Sequence, residues 1–254
     1  MSAARTAYGM STLAPIGLEE LLAQGELQTR IDRKYTLTGA DAAMVLDLVP
    51  HPARVLEIDG QRSFAYTSRY LDTDELTAFG LTAHRRRRRF KVRTRTYEGT
   101  GVTFLEVKTR HGAHTVKERL EGEHVVGGRL TTTGAEFVAE VLGRCGIDAA
   151  VVGRLSPALT TRYRRTTLFL PDSGSRVTVD DGLAWHDPRA GADLARPALT
   201  IIETKSPGQA GSMDRLLWSL GHRPRRISKY ATGLAALHPD LPDNRWHRTL
   251  RDHF

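Results

Sequence analysis

Two hydrophobic periods alternate along the chain. Short helical patterns cover Gly17–Gln24, Asp41–Val49 behind an N-cap at Thr38, and Ser212–Leu220 with Ser212 as its cap. Ser228–Leu237 is a last helix, and residues after His238 are polar and read as a loose tail. The clearest amphipathic helix is Thr133–Cys145, where Phe137, Val138, Val141 and Leu142 share one side. Between the helices the period drops to two. Leu27–Leu37, Val55–Asp59, Arg62–Asp72, Arg86–Tyr97, Gly101–Arg110, Ala113–Leu120, Ala158–Leu170, Arg176–Trp185 and Leu199–Lys205 all read as strands. Asp59-Gly60, Gly99-Thr100-Gly101 and His111-Gly112 supply turns, Asp74–Phe79 a brief helical segment, and Asp187–Pro197 a loop. Many hairpin-connected strands with few helices predict an α+β fold. Its centre is an antiparallel β-barrel of about eight or nine strands with helices packed outside.

The polar positions of these strands carry an unusual load. In Phe90–Tyr97 the odd positions are Lys91, Arg93, Arg95 and Tyr97; in Leu105–Arg110 the even ones are Glu106, Lys108 and Arg110. Leu199–Lys205 sets Glu203 and Lys205 on one face, Tyr163 and Arg165 share another, and so do Arg176 and Asp180. Residues two apart in a strand point the same way. A wet sheet face accounts for any one strand. Repetition of one sign over several strands asks for more, because Lys91, Arg93 and Arg95 repel one another until an anion arrives.

Composition sharpens this. The 254 residues are 40 % hydrophobic and 26 % charged, enough for a core without disulfide staples. The net charge of +8 calls for an anionic partner. Only six of the 37 basic residues are lysines: Lys34, Lys91, Lys108, Lys117, Lys205 and Lys229. Five lie in strand-like runs with a charged neighbour two residues away. Lys229 opens a helix whose N-terminus, after Arg226 and Ser228, suits either simple capping or a phosphate. Glu106 and Glu203 stand among the cations as salt-bridge partners or as oxygen ligands for Mg2+ or Mn2+. The Arg85–Arg89 run must split between two strand faces. It reads as a solvated stretch rather than a nucleic-acid site. No apolar run reaches the length of a membrane span, the first residues lack a signal-peptide pattern, and the single Cys145 forms no internal bridge, so a cytoplasmic location is expected. The histidines form no metal-spaced cluster, and there is neither a Walker loop nor a dinucleotide fingerprint.

Nine short motifs then occur in order: Ile31-Asp-Arg-Lys-Tyr35, Ser68-Arg-Tyr-Leu-Asp-Thr73, Lys91-Val-Arg-Thr-Arg-Thr-Tyr97, Phe104-Leu-Glu-Val-Lys108, Lys117-Glu-Arg119, Tyr163-Arg-Arg165, Arg176-Val-Thr-Val-Asp180, Ile202-Glu-Thr-Lys205 and Ile227-Ser-Lys-Tyr230. Together they resemble the VTC (vacuolar transporter chaperone) polyphosphate polymerase domain of the triphosphate tunnel, or CYTH-like, superfamily. The resemblance implies a tunnel domain over 28–237, an N-terminal segment 1–27 and a tail 238–254. It implies transfer of the γ-phosphate of ATP to polyphosphate with Mn2+ or Mg2+. It assigns catalytic positions to Lys34, Arg93, Arg95, Arg165 and Lys229. Lys108, Lys117, Arg119, Tyr163, Arg176, Lys205, Arg226 and Ser228 bind substrate, and Glu203, with Glu106, holds metal. Lys91 falls to the periphery and Lys205 ranks behind Glu203. Tunnel triphosphatases typically open with Glu-x-Glu-x-Lys; here the positions read Arg30-Ile-Asp32-Arg-Lys34, which favours polymerase over hydrolase. A tunnel triphosphatase and a non-catalytic polyphosphate- or nucleotide-binding module are the alternatives. ATP and polyphosphate are the expected partners, a membrane-protein partner stays open, and nucleic acid is disfavoured.

Overall fold

The computed structural model describes residues 10, 12–24, 31–111 and 114–254. In chain order it contains β1 (Ala14–Ile16), α1 (Leu18–Gln24), β2 (Ile31–Thr38), α2 (Gly39–Asp47), β3 (Arg54–Leu56), β4 (Phe64–Asp72), α3 (Thr77–Ala83), β5 (Arg88–Tyr97), β6 (Thr103–His111) and β7 (His114–Glu121). A small hairpin, β8 (Val125–Val126) and β9 (Arg129–Leu130), leads to α4 (Thr132–Arg144). Then follow β10 (Ser156–Leu170), β11 (Ser175–Asp187), β12 (Ala192–Arg196), β13 (Leu199–Ser206), α5 (Ser212–Ser219), α6 (Lys229–Leu237) and α7 (His247–His253).

One sheet dominates, with strand order β2-β13-β11-β10-β4-β5-β6-β7 and antiparallel pairing along that path. The expected barrel is corrected here: β2 and β7 are the ends of the path and do not pair, so the sheet curves without closing. The physical cause lies in part at β2, whose outer edge is occupied by an irregular segment, Arg225 N–H donating to the Lys34 carbonyl at 2.7 Å.

Each strand divides its side chains by parity. Phe90 and Val92 of β5 and Leu105 and Val107 of β6 turn outward onto Val138, Val141 and Leu142 of α4. Tyr35 and Leu37 of β2, Val177 and Val179 of β11 and Ile202 of β13 pack with Ala42, Val45 and Leu46 of α2 and Met213 and Leu217 of α5. Fully burying such a side chain stabilises by roughly 1.5–3 kcal/mol. The helices therefore hold the apolar face, and the polar face is left to line the concave side.

Several expectations need correction. Asp187–Pro197 is not a plain loop, because Ala192–Arg196 adds to β11 as β12. The cap of α5 is Gly211, whose N–H donates to the Asp214 carboxylate at 2.9 Å, so Ser212 begins the helix. The brief helix after β4 runs over Thr77–Ala83 because Asp72 accepts from the N–H groups of Ala78 and Phe79. The C-terminal tail is not loose: α7 packs down, with Trp246 and Thr249 only 2 % exposed. Expected strand residues 27–30 lie outside the described ones. No helix among the described residues is long and apolar enough to cross a membrane.

Candidate functional site: a cation-lined cavity

The concave face of the sheet encloses a cavity of about 480 Å3. Its wall carries eleven lysines or arginines and only three acids, Asp32, Glu106 and Glu203. All six lysines of the chain are among them. Of the fifteen residues singled out in sequence, fourteen line this cavity; Arg226 lies instead on a neighbouring one. Parity explains the convergence. Lys91, Arg93 and Arg95 come from β5, Glu106 and Lys108 from β6, Lys117 and Arg119 from β7, and Asp32 and Lys34 from β2. Tyr163 and Arg165 come from β10, Arg176 and Thr178 from β11, and Glu203 and Lys205 from β13.

Carboxylates hold many of the cations in place. Asp180, fully buried beneath the wall, accepts both Nε and Nη2 of Arg165, at 2.6 and 2.8 Å, and also pairs with Lys229. Burial alone raises its carboxyl, but Arg165 and Lys229 overcome that and keep it well below the usual range. Glu106 accepts from Arg93 Nε at 2.7 Å, pairs with Lys117, and has Arg95 Nε at 3.8 Å. Tyr70 adds a hydroxyl acceptor for Arg93 at 2.9 Å. Glu203 sits between Lys34 at 2.6 Å and Lys205 at 2.8 Å. Burial raises the Glu203 carboxyl, and Lys34, Lys205 and Arg165 win against it.

Elsewhere the cations face each other. Lys91 donates to Ser228 Oγ at 2.8 Å and, among the described residues, has no carboxylate partner. Burial, then Lys108, Arg93 and Lys34, push its ammonium down to about 7. Lys91, expected at the periphery, stands in the wall itself where this cavity meets its neighbour. Sequence pattern put it on the right face; what parity could not give was its cross-strand neighbour, Lys108. Tyr66 and Tyr70, four residues apart on one face of β4, also belong to the wall and were missed. Tyr163 stacks on Tyr66 with ring centroids 5.4 Å apart, and Lys229 Nζ sits 4.3 Å from its centroid. Burial raises the Tyr163 phenol, but Arg95, Arg165 and Lys229 outweigh it and lower its pKa. The Tyr163 hydroxyl, Arg95 Nε and Thr178 Oγ1 are buried without a hydrogen-bond partner among the described residues. A buried polar group without a partner is costly, so an acceptor oxygen brought to these atoms would be stabilising.

Residues 29–238 match the model of the VTC domain. The chain belongs to the VTC domain family. Among curated proteins no sequence relative is found. Similar solved structures include a protein of Bacillus halodurans provisionally described as an adenylate cyclase. It shares 12 % identity over 78 % of this chain and 93 % of that one, with a TM-score of 0.47. A protein of Vibrio parahaemolyticus with the same provisional description shares 13 % identity over 82 % and 98 %, with a TM-score of 0.43.

The donor set bears on a metal. Among the described residues no three His, Cys, Asp or Glu side chains come together, so the VTC domain offers no complete protein cage. Mg2+ and Mn2+ accept one or two carboxylates completed by phosphate oxygens and water. Glu203 suits that role, since its two oxygens are faced by lysines whose flexible stems can turn to phosphate instead. Glu106, 3 % exposed and gripped by two arginines and a lysine, suits that of an internal counter-ion.

Proposed function

We propose that this VTC domain is a polyphosphate polymerase that moves the γ-phosphate of ATP onto the end of a polyphosphate chain. The observation that carries the reading is the gathering of all six lysines and five arginines on one cavity. That much positive charge suits a ligand of several phosphates. In the step, a terminal oxygen of polyphosphate attacks the γ-phosphorus, the bond to the β–γ bridging oxygen breaks, and ADP leaves with that electron pair. Such a step asks for alignment and charge neutralisation rather than a covalent nucleophile.

In this reading Arg93, Arg95 and Arg165 grip the transferred group with two-pronged hydrogen bonds, while Lys34 and Lys229 act as point charges beside it. Lys108, Lys117, Arg119, Arg176 and Lys205 hold the flanking phosphates. Tyr163 and Ser228 add hydroxyl contacts, the former satisfying an oxygen now unpartnered. A divalent ion held by Glu203 supplies further neutralisation of phosphate charge.

Asp32 supports a second reading. It pairs in register with Lys205, diagonal to Glu203, and so keeps a second carboxylate on that wall for a triphosphate hydrolase. The test is incubation of the pure protein with ATP and Mn2+ or Mg2+, followed by gel analysis. Long-chain polyphosphate with ADP is expected. Free phosphate without polymer supports the hydrolase, and polyphosphate binding without turnover supports a binding module.

A further inference from the structure

A second cavity, of about 380 Å3, adjoins the first and shares Asp32, Lys34, Lys91, Lys108, Ile227 and Ser228 with it. The cation-lined wall therefore continues past Lys91 to a separate opening. There the lysines give way to arginines: Arg89 of β5, Arg226 before α6 and Arg245 before α7. Arg85, in the exposed arginine run that leads into β5, stands close enough to repel both Arg89 and Arg245. Among the described residues the one acid on this cavity's wall is Asp32, on the side shared with the first cavity. Burial and the charges of Arg89, Arg226, Arg85 and Arg110 all act on the Arg245 guanidinium in the same, lowering, direction. Arg245 also lies beyond the matched domain, which stops at residue 238, and it is fixed by its own contact, Nη1 donating to the Thr82 carbonyl at 3.3 Å. Trp246, buried next to it, anchors the segment. Part of the opening is thus built by a portion of the chain outside the matched domain.

An arginine cluster held together against its own repulsion needs a polyanion. The one that fits best is continuous with the ligand of the first cavity, because the shared lysines leave no gap in positive charge between the two. We propose that Arg85, Arg89, Arg226 and Arg245 form a surface that grips a polyphosphate chain where it leaves the cavity. The surface makes affinity depend on chain length beyond what the first cavity alone can hold. This rests on the phosphate-binding reading of the first cavity but not on its catalytic activity.

The experiment compares tripolyphosphate with polyphosphate of about a hundred units, titrated calorimetrically into the intact protein and into an Arg89→Ala/Arg245→Ala double variant. Wild type is expected to bind the long chain more tightly per chain end, and the double variant to lose about tenfold of that affinity. Tripolyphosphate binding should stay within about twofold. Arg89→Lys/Arg245→Lys should retain most of the long-chain preference. Equal loss for both ligands, or no loss for either, overturns the surface and leaves the first cavity standing. Failure of wild type to bind tripolyphosphate counts against the first cavity itself. Loss of binding to anionic phospholipid vesicles with unchanged polyphosphate titrations overturns the proposal in favour of a membrane surface.

Discussion

Two stretches of the cavity wall handle positive charge in opposite ways. On the β10–β11 side, Arg165 and Lys229 are matched by Asp180, a carboxylate fully out of solvent. At the junction of β2, β5 and β6, Lys34 has Glu203 at 2.6 Å and Lys108 feels Glu203 and Asp32, whereas Lys91, among the described residues, has only the hydroxyl of Ser228. The first stretch is complete as it stands. The second leaves Lys91 in the positive field of its neighbours, where an entering anion would relieve the repulsion. The contrast separates cations whose position the fold itself secures from cations whose charge is reserved for a ligand.

Removing the securing carboxylate should do the most damage. Asp180→Asn keeps the shape of the side chain but leaves Arg165 and Lys229 buried without their counter-charge. We expect a loss of about 3–5 kcal/mol in folding stability, read from urea unfolding. Tripolyphosphate should restore part of it. An unchanged midpoint means that the matched stretch is not matched by Asp180.

Glu203→Gln comes next. It removes the carboxylate between Lys34 and Lys205 and should lower metal-dependent turnover roughly a hundredfold. Binding of tripolyphosphate without metal should hold or improve, since two lysines lose a competitor. Turnover that keeps its full dependence on Mn2+ takes the metal away from Glu203.

The smallest effect is expected at the unmatched junction, and it has the opposite sign from Asp180→Asn. Lys91→Met removes a cation that burial and its neighbours disfavour, so the ligand-free protein should become more stable by about 1 kcal/mol at pH 7. Affinity for tripolyphosphate should fall about tenfold. The pH dependence follows from the same group. Its ammonium titrates near 7 in the folded protein and near the ordinary lysine value when unfolded. Between those two values the unfolded chain binds more protons, so this group's contribution makes stability rise with pH. An entering anion restores the proton. Calorimetry at pH 8 in buffers of different ionisation enthalpy should therefore detect uptake of up to about one proton through Lys91. Lys91→Met should reduce it. Identical uptake in both proteins would falsify the assignment.

Much of this wall could be read from single strands. In β5 the alternation of Phe90 and Val92 with Lys91 and Arg93 fixes which side chains share a face. The same holds for Val177 and Val179 against Arg176 and Asp180. What a single strand withholds is its neighbour's register. Lys91 lies opposite Lys108, and Arg165 opposite Asp180, only after β5 meets β6 and β10 meets β11. The first pairing sets Lys91 beside a like charge; the second supplies the counter-charge for Arg165. The C-terminal segment was misread because its few apolar residues show no period. Trp246, docked in a cluster with Phe79 and Tyr230 and joined there by Leu241, Leu250 and Phe254, fastens it.

The placement of the lysines has a practical side. Apart from an α-amine, every primary amine on the VTC domain faces one cavity. Amine-directed chemistry, which on most proteins scatters over the surface, becomes here a reagent for the site. Acylation or reductive methylation should report on occupancy, with Lys91, its ammonium pushed down to about 7, the amine most fully deprotonated near neutral pH. The same fact warns against coupling the protein to a support through its lysines, because the tether would close the cavity it was meant to display.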